Sequence, residues 1–456
     1  MSDTPIHRSQ ERLSAVLNLL VCLLFIFSSS RYSSQGLVPV FFLILLCFWI
    51  FGRITWTRVP KGVQWIAYFF LAVFLTILPN LFVNGGFAYD RFRSFNLPIS
   101  YAMGAGILVL MVGLSVRLRL QMIFYAICLG AYVNGVIGFV QKNILDLGRV
   151  DGFAGIFEFA DLSAAIGLCV WAYYLKQEIA LKERIIFGFG FILSVLTIIY
   201  TESRGIMIAF FVACVGIFCL ILMCQDKNAM VCKNSVVCKK SVIWKRAAVL
   251  LLACLAVLAL APKVKASLLR FHEAKTDIKK YEQYLDVAPE SIAAMPMASP
   301  DNPLLADNSI GLRFQMWRES WNAFKISPII GLNPKSLCEL KYPSGEYQRR
   351  DCYQRLHSEV FNTLARKGIL GLIALVGVWL SVGIFFLKGI KKASERLQLL
   401  GACVFGVLIL YIIGGIGNEP MSAFVEGNFF LLFVGIFVSL AIEDKRHNQG
   451  GQKFRA

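Results

Sequence analysis

Three short stretches of an otherwise apolar sequence carry basic side chains that could act on a substrate. Arg204 lies in TESRG (201–205), Arg313 in GLRFQMW (311–317) and His357 in HSEVFNTLARKGILGL (357–372). An arginine stays charged at any physiological pH, and its planar fork of donors matches phosphate oxygens. A neutral histidine could accept a proton from a hydroxyl group. Together these residue types would suit the binding of a phosphorylated substrate and the activation of a hydroxyl.

The surroundings of Arg204 favour an anion site over a purely structural role. An isolated arginine in a short connection between apolar stretches would ordinarily extend to lipid headgroups, and this interpretation stays open. However, Thr201 and Ser203 offer hydroxyl groups, and a helix that begins near Gly205 offers free N–H groups. Glu202 is a reserve candidate for a base, although an ion pair with Arg204 is the interpretation that we favour.

Arg313 and His357 also have structural alternatives. Arg313 opens a predicted helix over about 313–324, in which the i+4 spacing places it over Trp317, but it could be a solvated surface arginine. His357 lies where a long loop returns to the membrane, and an isolated histidine there is more often a hydrogen-bonded structural residue. The aromatic residues of the predicted helix share one face, which favours packing of the loop or contact with the bilayer interface: Trp317, Trp321 and Phe324.

These residues must be positioned by a membrane protein. Of 456 residues, 57% are hydrophobic and 16% are charged, whereas a soluble domain carries about 25% charged residues. This composition excludes a soluble enzyme. Apolar stretches long enough to cross a hydrocarbon core of about 30 Å predict an all-α polytopic protein with about twelve transmembrane helices, at about 13–29, 37–52, 64–83, 97–115, 120–140, 161–175, 185–200, 205–224, 247–261, 369–387, 398–415 and 424–443.

The distribution of basic residues predicts the orientation. The formal net charge of +18 would suggest nucleic acid in a soluble protein. Here 24 of the 46 Lys and Arg lie in connections on the side of the two termini, against six in the opposite short connections. Because basic loops stay in the cytoplasm, we expect both termini there, and no nucleic-acid partner. The outer side then collects the candidate site residues Arg91, Arg93, Arg149, Glu202, Arg204, Arg313 and His357.

These assignments divide the chain into four parts. Residues 1–261 hold transmembrane helices 1–9, 262–356 form one large, mainly helical periplasmic loop, 357–443 hold helices 10–12, and 444–456 form a cytoplasmic tail. Cys338 and Cys352 both lie in the outer loop. If that loop faces the oxidising periplasm of a Gram-negative bacterium, we expect a disulfide between them.

Two classes of site are disfavoured. The apolar cores of the predicted spans hold no Asp, Glu, Lys or Arg. Because ion-driven transporters normally carry ionisable groups at that depth, this absence argues against a transporter. The chain has four histidines, no His-x-x-x-His spacing and no Asp-x-Asp pair, so we expect no metal site and no nucleotide-sugar transferase.

Four stretches, in order, resemble the O-antigen ligase family: RVDGFAGIFEFADLSA (149–164), TESRG, GLRFQMWRESWNAFKISPIIGLNP (311–334) and HSEVFNTLARKGILGL. The resemblance implies a membrane glycosyltransferase of the bacterial inner membrane, surrounded by membrane lipids and with its active site on the periplasmic side. It would take a glycan from undecaprenyl diphosphate and join it to the lipid A core oligosaccharide, with no cofactor.

The resemblance also assigns roles to residues. The essential arginines of the family fall on Arg204 and Arg313, its essential histidine falls on His357, and Arg149 matches a further basic position. Two arginines could hold the diphosphate, with Arg93 and Arg149 as further candidates, and His357 could act as general base in an inverting displacement.

Other functions remain open. An O-antigen polymerase would share the donor and the fold but use another lipid-linked glycan as acceptor. Protein O-glycosyltransferases of the same superfamily usually carry a longer C-terminal extension. The alternative from a different class is a lipid-linked-oligosaccharide flippase, which would require charged residues along a central path.

Overall fold

The structure is a computed structural model that describes residues 5–28, 30–52, 56–79, 90–176, 179–228, 244, 247–248, 309–332, 356–390 and 394–453. In these ranges the secondary structure is helical apart from one isolated parallel bridge between Ser30 and Phe153. The long helices are α1 (Pro5–Ile26), α2 (Arg31–Phe51), α3 (Lys61–Leu75), α4 (Asp90–Gly113), α5 (Leu120–Phe139), α6 (Ile156–Leu175), α7 (Leu181–Tyr200), α8 (Arg204–Asn228), α9 (Ser309–Ile326), α10 (Glu359–Ile390), α11 (Glu395–Gly414) and α12 (Phe424–Lys453).

Eleven of these helices match predicted spans. Eight are long and apolar enough to cross a membrane, and α2, α3 and α4 contain shorter apolar segments. The predicted ninth span, 247–261, lies outside the described residues except for 247–248. The all-helical membrane fold is therefore confirmed for the described parts of the chain, whereas the count of twelve stays a prediction.

Helix α9 is the described part of the predicted outer loop. It confirms the helix expected at about 313–324 and extends it at both ends. The rest of the loop, 262–308 and 333–355, lies outside the described residues, and so do Cys338 and Cys352. The predicted division of the chain into four parts and the disulfide stay predictions.

Helix α12 forms the centre of the bundle. Residues 425–442 are all buried, and the helix contacts α2, α4, α6 and α11. The rings of Phe429, Phe433 and Phe437 stack along it, with centroids 5.9 Å and 4.1 Å apart. An aromatic core therefore lies at the centre of the bundle.

Two carboxylates are buried near the ends of membrane helices, where hydropathy had indicated uncharged spans. Asp161 in α6 and Glu426 in α12 have no exposed surface. The Asp161 carboxylate accepts a hydrogen bond of 2.8 Å from the Asn418 amide. Both residues lie within two turns of a helix start, so they change the mean hydropathy of the whole span only slightly. The expectation of uncharged spans is wrong at these ends and holds for the middle of the described helices.

A sharp break in α10 fixes how α9 packs against it. Gly368 has a φ of 62° and separates two helical segments. Gly331, in the connection after α9, has a φ of 73°. A Cβ on Gly331 would lie 2.3 Å from the Lys367 nitrogen, and one on Gly368 would lie 2.3 Å from the Ile329 oxygen. Only glycine allows the two backbones to approach so closely.

Backbone hydrogen bonds hold this junction together. Leu332 N–H donates to the Ala365 carbonyl at 2.7 Å, and Ile369 N–H donates to the Pro328 carbonyl at 2.8 Å. The second bond satisfies a donor that the break in α10 would otherwise leave unpaired. The junction therefore joins the helix of Arg313 to the helix that follows His357.

We predict that Gly331→Ala destabilises the protein. An alanine at positive φ costs about 1–2 kcal/mol, and its Cβ would also collide with the backbone of α10. The control is Gly36→Ala in α2, because no atom lies within 4 Å of a Cβ at that position. Gly36→Ala should change the free energy of unfolding by less than about 1 kcal/mol, in the stabilising direction. Thermal unfolding in detergent measures both, and equal midpoints for the two variants would contradict the packing described.

Candidate active site

The predicted site residues converge where several helices begin. Arg204 is the first residue of α8, His357 lies two residues before α10, and Arg313 lies near the start of α9. The segment that contains Arg149 lies in the connection between α5 and α6. We call this part of the molecule the site end of the bundle.

The two predicted arginines lie within electrostatic range of each other. Burial lowers the pKa of the Arg313 guanidinium, and repulsion by the nearby Arg204 guanidinium lowers it further. Gly417 borders the same group, since a Cβ there would lie 3.7 Å from Arg313 Nη1. Two guanidinium groups in one partly buried place can both donate to the same anion. The pair is therefore suited to bind a group with more than one negative charge.

His357 is held in an unusual conformation beside this pair. Its φ is 49°, a region that residues other than glycine rarely adopt. Its carbonyl accepts a hydrogen bond of 3.2 Å from Trp317 Nε1, and its ring meets the Phe157 ring edge to face at 5.7 Å. The His357 backbone and its imidazole ring are thus contacted by two different parts of the chain.

Trp317 connects Arg313 to His357. The sequence placed it one turn after Arg313, and its ring stacks on Phe361 at 5.5 Å while its N–H reaches the carbonyl of His357. Sequence reasoning assigned Trp317 to packing of the loop or to the bilayer interface and missed this contact. The i+4 spacing of Trp317 from Arg313 was visible in the sequence. It could not predict a contact with His357, because that contact depends on how α10 packs against α9.

Arg149 supports the turn that leads to Arg204. Its Nε donates to the Thr201 carbonyl at 3.1 Å, and its guanidinium lies 5.7 Å from the centre of the Phe157 ring. The next residue, Val150, donates its N–H to the Tyr200 carbonyl at 3.2 Å. Arg149 therefore lies at the site end, between the Arg204 turn and the ring that contacts His357.

Glu202 has an ion-pair partner that sequence reasoning did not name. Its carboxylate accepts a bond of 3.0 Å from Lys142 Nζ, and both side chains are about nine-tenths buried. Lys142 lies in a π-helical turn, Val140–Ile144, and also donates to the Gly148 carbonyl at 2.5 Å. A carboxylate engaged in a buried ion pair is less available as a base, so the structure does not favour the reserve role of Glu202.

A carboxylate outside the predicted set also lies here. Glu359, two residues after His357, is buried and bonded to the connection between α11 and α12. Its position in HSE was visible in the sequence, but its partners lie more than sixty residues away. Arg93 lies in the first turn of α4, and its side chain is outside the described set. Within the described residues, no group of three His, Cys, Asp or Glu is placed to hold a metal ion.

Comparison with known proteins agrees with this geometry. Residues 189–376 match the sequence model of the family described as O-antigen ligase, and this segment contains Arg204, Arg313 and His357. Over 436 residues the chain is also 22% identical to an uncharacterized protein of Haemophilus influenzae, with 92% of this chain and 97% of that protein covered. The matched segment is thus similar to the O-antigen ligase family, and this similarity supports a membrane glycosyltransferase of the ligase or polymerase type.

Proposed function

We propose that this protein is an O-antigen ligase. It transfers a glycan from undecaprenyl diphosphate to the lipid A core oligosaccharide at the periplasmic face of the bacterial inner membrane, by a metal-independent inverting displacement. The observation that carries the proposal is the hydrogen bond by which Trp317, one turn after Arg313, holds the backbone of His357, with Arg204 near enough to act on the charge of Arg313. The family match supports the same class of reaction.

The two arginines bind the diphosphate of the donor. Each guanidinium group attracts the diphosphate and can donate two hydrogen bonds to its oxygens, and both contributions add to the binding free energy. As the bond between the anomeric carbon and the phosphate oxygen breaks, negative charge grows on the diphosphate. Guanidinium groups already in place stabilise that charge without reorganisation.

His357 accepts the proton of the acceptor hydroxyl. The hydroxyl oxygen attacks the anomeric carbon from the side opposite the diphosphate, which leaves with the bonding electron pair. The proton passes to the neutral imidazole, and the configuration at the anomeric carbon inverts. Arg149 keeps the Arg204 turn in place through the Thr201 carbonyl, and Arg93 is a further candidate for the diphosphate.

The arrangement of the termini supports a periplasmic site. Gln10 of α1 donates to the Ser115 carbonyl at 3.1 Å, and Arg446 of α12 donates to the Ser115 hydroxyl at 2.6 Å. Ser115 lies just after the last residue of α4, at the end of the bundle opposite the site end. Helix α12 begins at the site end and therefore finishes near Ser115. The described start of α1 and the described end of α12 therefore lie opposite the site end, on the side that carries most of the basic connections. This is the arrangement required for cytoplasmic termini and a periplasmic active site.

We predict that Arg204→Ala and Arg313→Ala each reduce transfer by at least about 100-fold, since loss of one such donor costs about 3–4 kcal/mol in comparable sites. The measurement is glycan transfer by purified protein in detergent with a lipid-diphosphate-linked donor and core acceptor. The control is Arg318→Ala, an exposed arginine on the same helix as Arg313, which should keep near-normal transfer. Normal transfer by either test variant would reject the diphosphate role.

We predict that His357→Ala loses turnover but still binds the lipid-linked donor, because the arginines remain. Donor binding and the pH dependence of the residual rate are measured separately. Loss of donor binding together with a rate that keeps the pH dependence of the unaltered protein would show that His357 is not the base.

A deletion strain distinguishes ligase from polymerase. Loss of a ligase leaves bare lipid A core and accumulates lipid-linked polymer, whereas loss of a polymerase leaves core that bears a single repeat unit. We expect the first pattern on a lipopolysaccharide gel, with restoration by the wild-type gene. The single-repeat pattern would replace the ligase proposal with the polymerase alternative.

A further inference from the structure

Glu359 is a buried carboxylate that the proposed mechanism does not use. It is the first residue of α10 and is 1% exposed. Its Oε2 accepts the backbone N–H groups of Met421 at 2.8 Å and Ser422 at 3.0 Å, and its Oε1 accepts the Ser422 hydroxyl at 2.5 Å. Several donors directed at one buried carboxylate hold it in a single orientation.

The same residue is bonded to the other end of the connection between α11 and α12. The Glu359 N–H donates to the Gly415 carbonyl at 2.7 Å. Glu359 thus bonds to both ends of the segment 415–423, which we call the α11–α12 loop. Its side chain holds the far end of the loop, and its backbone holds the near end.

The α11–α12 loop also borders the proposed diphosphate site. Gly417 in the middle of the loop lies against Arg313 Nη1, and its neighbour Asn418 donates to the buried Asp161. The loop therefore lies between Glu359, two residues after the reactive histidine, and one of the two arginines. Displacement of the loop would change the distance between the proposed base and the proposed diphosphate site.

We infer that Glu359 is a positioning residue for the transfer reaction. By bonding to both ends of the α11–α12 loop, it holds His357 at a fixed position relative to Arg313. This inference rests on the proposed function. His357 needs such support because its left-handed backbone conformation is intrinsically unfavourable. Trp317 fixes its carbonyl from one side, and Glu359 fixes the start of α10 from the other. A displacement of a catalytic group by about 1 Å can lower the rate about 100-fold.

The test compares Glu359→Ala with Glu359→Gln in purified protein. Glutamine keeps an oxygen that can accept the N–H groups of Met421 and Ser422, and its amide can donate to the Ser422 hydroxyl. Alanine leaves all of these donors unpaired. The matched control is Glu395→Gln, because Glu395 is exposed at the other end of α11 and should not affect transfer.

We expect Glu359→Ala to lower kcat by about 30- to 100-fold while the KM for the donor changes less than about threefold. Glu359→Gln should keep kcat within about threefold of the wild type, and the pH profile should be the same in all variants. An equally inactive Glu359→Gln would show that the charge itself is needed and would overturn the inference. A loss in Glu359→Ala fully explained by a smaller folded fraction, measured by chromatography and thermal unfolding, would also overturn it.

A second measurement does not depend on transfer. Diethyl pyrocarbonate modifies accessible histidines, and mass spectrometry reports the rate at His357, with the three other histidines as internal references. Glu359→Ala should change the rate at His357 several-fold, and Glu359→Gln should not. This result would support the positioning of His357 even if the wild type transferred no glycan, which would reject the proposed function alone. An unchanged rate in Glu359→Ala would reject the positioning.

Discussion

Two guanidinium groups lie within electrostatic range of each other at the site end of the bundle, and the proposed chemistry depends on this arrangement. Arg313 is partly buried, and both its burial and Arg204 oppose its positive charge. A diphosphate bound by both groups would favour both positive charges, because opposite charges attract more strongly in a partly buried place than in water. Several further contacts at the site end fix the parts of the chain that carry these arginines.

Each of those contacts links two parts of the chain that are distant in sequence. The glycine junction at Gly331 and Gly368 joins α9 to α10, and Trp317 joins α9 to the carbonyl of His357. Arg149 joins the connection after α5 to the turn before α8. The α11–α12 loop then closes the site end through Glu359.

The sequence predicts the helices of this fold better than it predicts their side-chain partners. Hydropathy located the eleven apolar helices now described, because burial in lipid or protein requires long apolar segments. The motifs pointed to Arg204, Arg313 and His357 as one group, and the structure brings them to one end. The partners of Glu202 and Glu359 could not be read in this way. Lys142 and Ser422 lie about sixty residues away from them, and only the packing of helices decides which polar groups meet.

The most direct test is a double-mutant cycle on the binding of undecaprenyl diphosphate to detergent-solubilised protein. The variants are Arg204→Ala, Arg313→Ala and the combination of both, and calorimetry gives each Kd. If both guanidinium groups bind one diphosphate, each single variant loses its own contact and also weakens the contact that the other arginine makes. The two single losses in binding free energy should then sum to more than the loss in the double variant, by about 1–3 kcal/mol. Additive losses, or unchanged binding in either single variant, would contradict a shared diphosphate site.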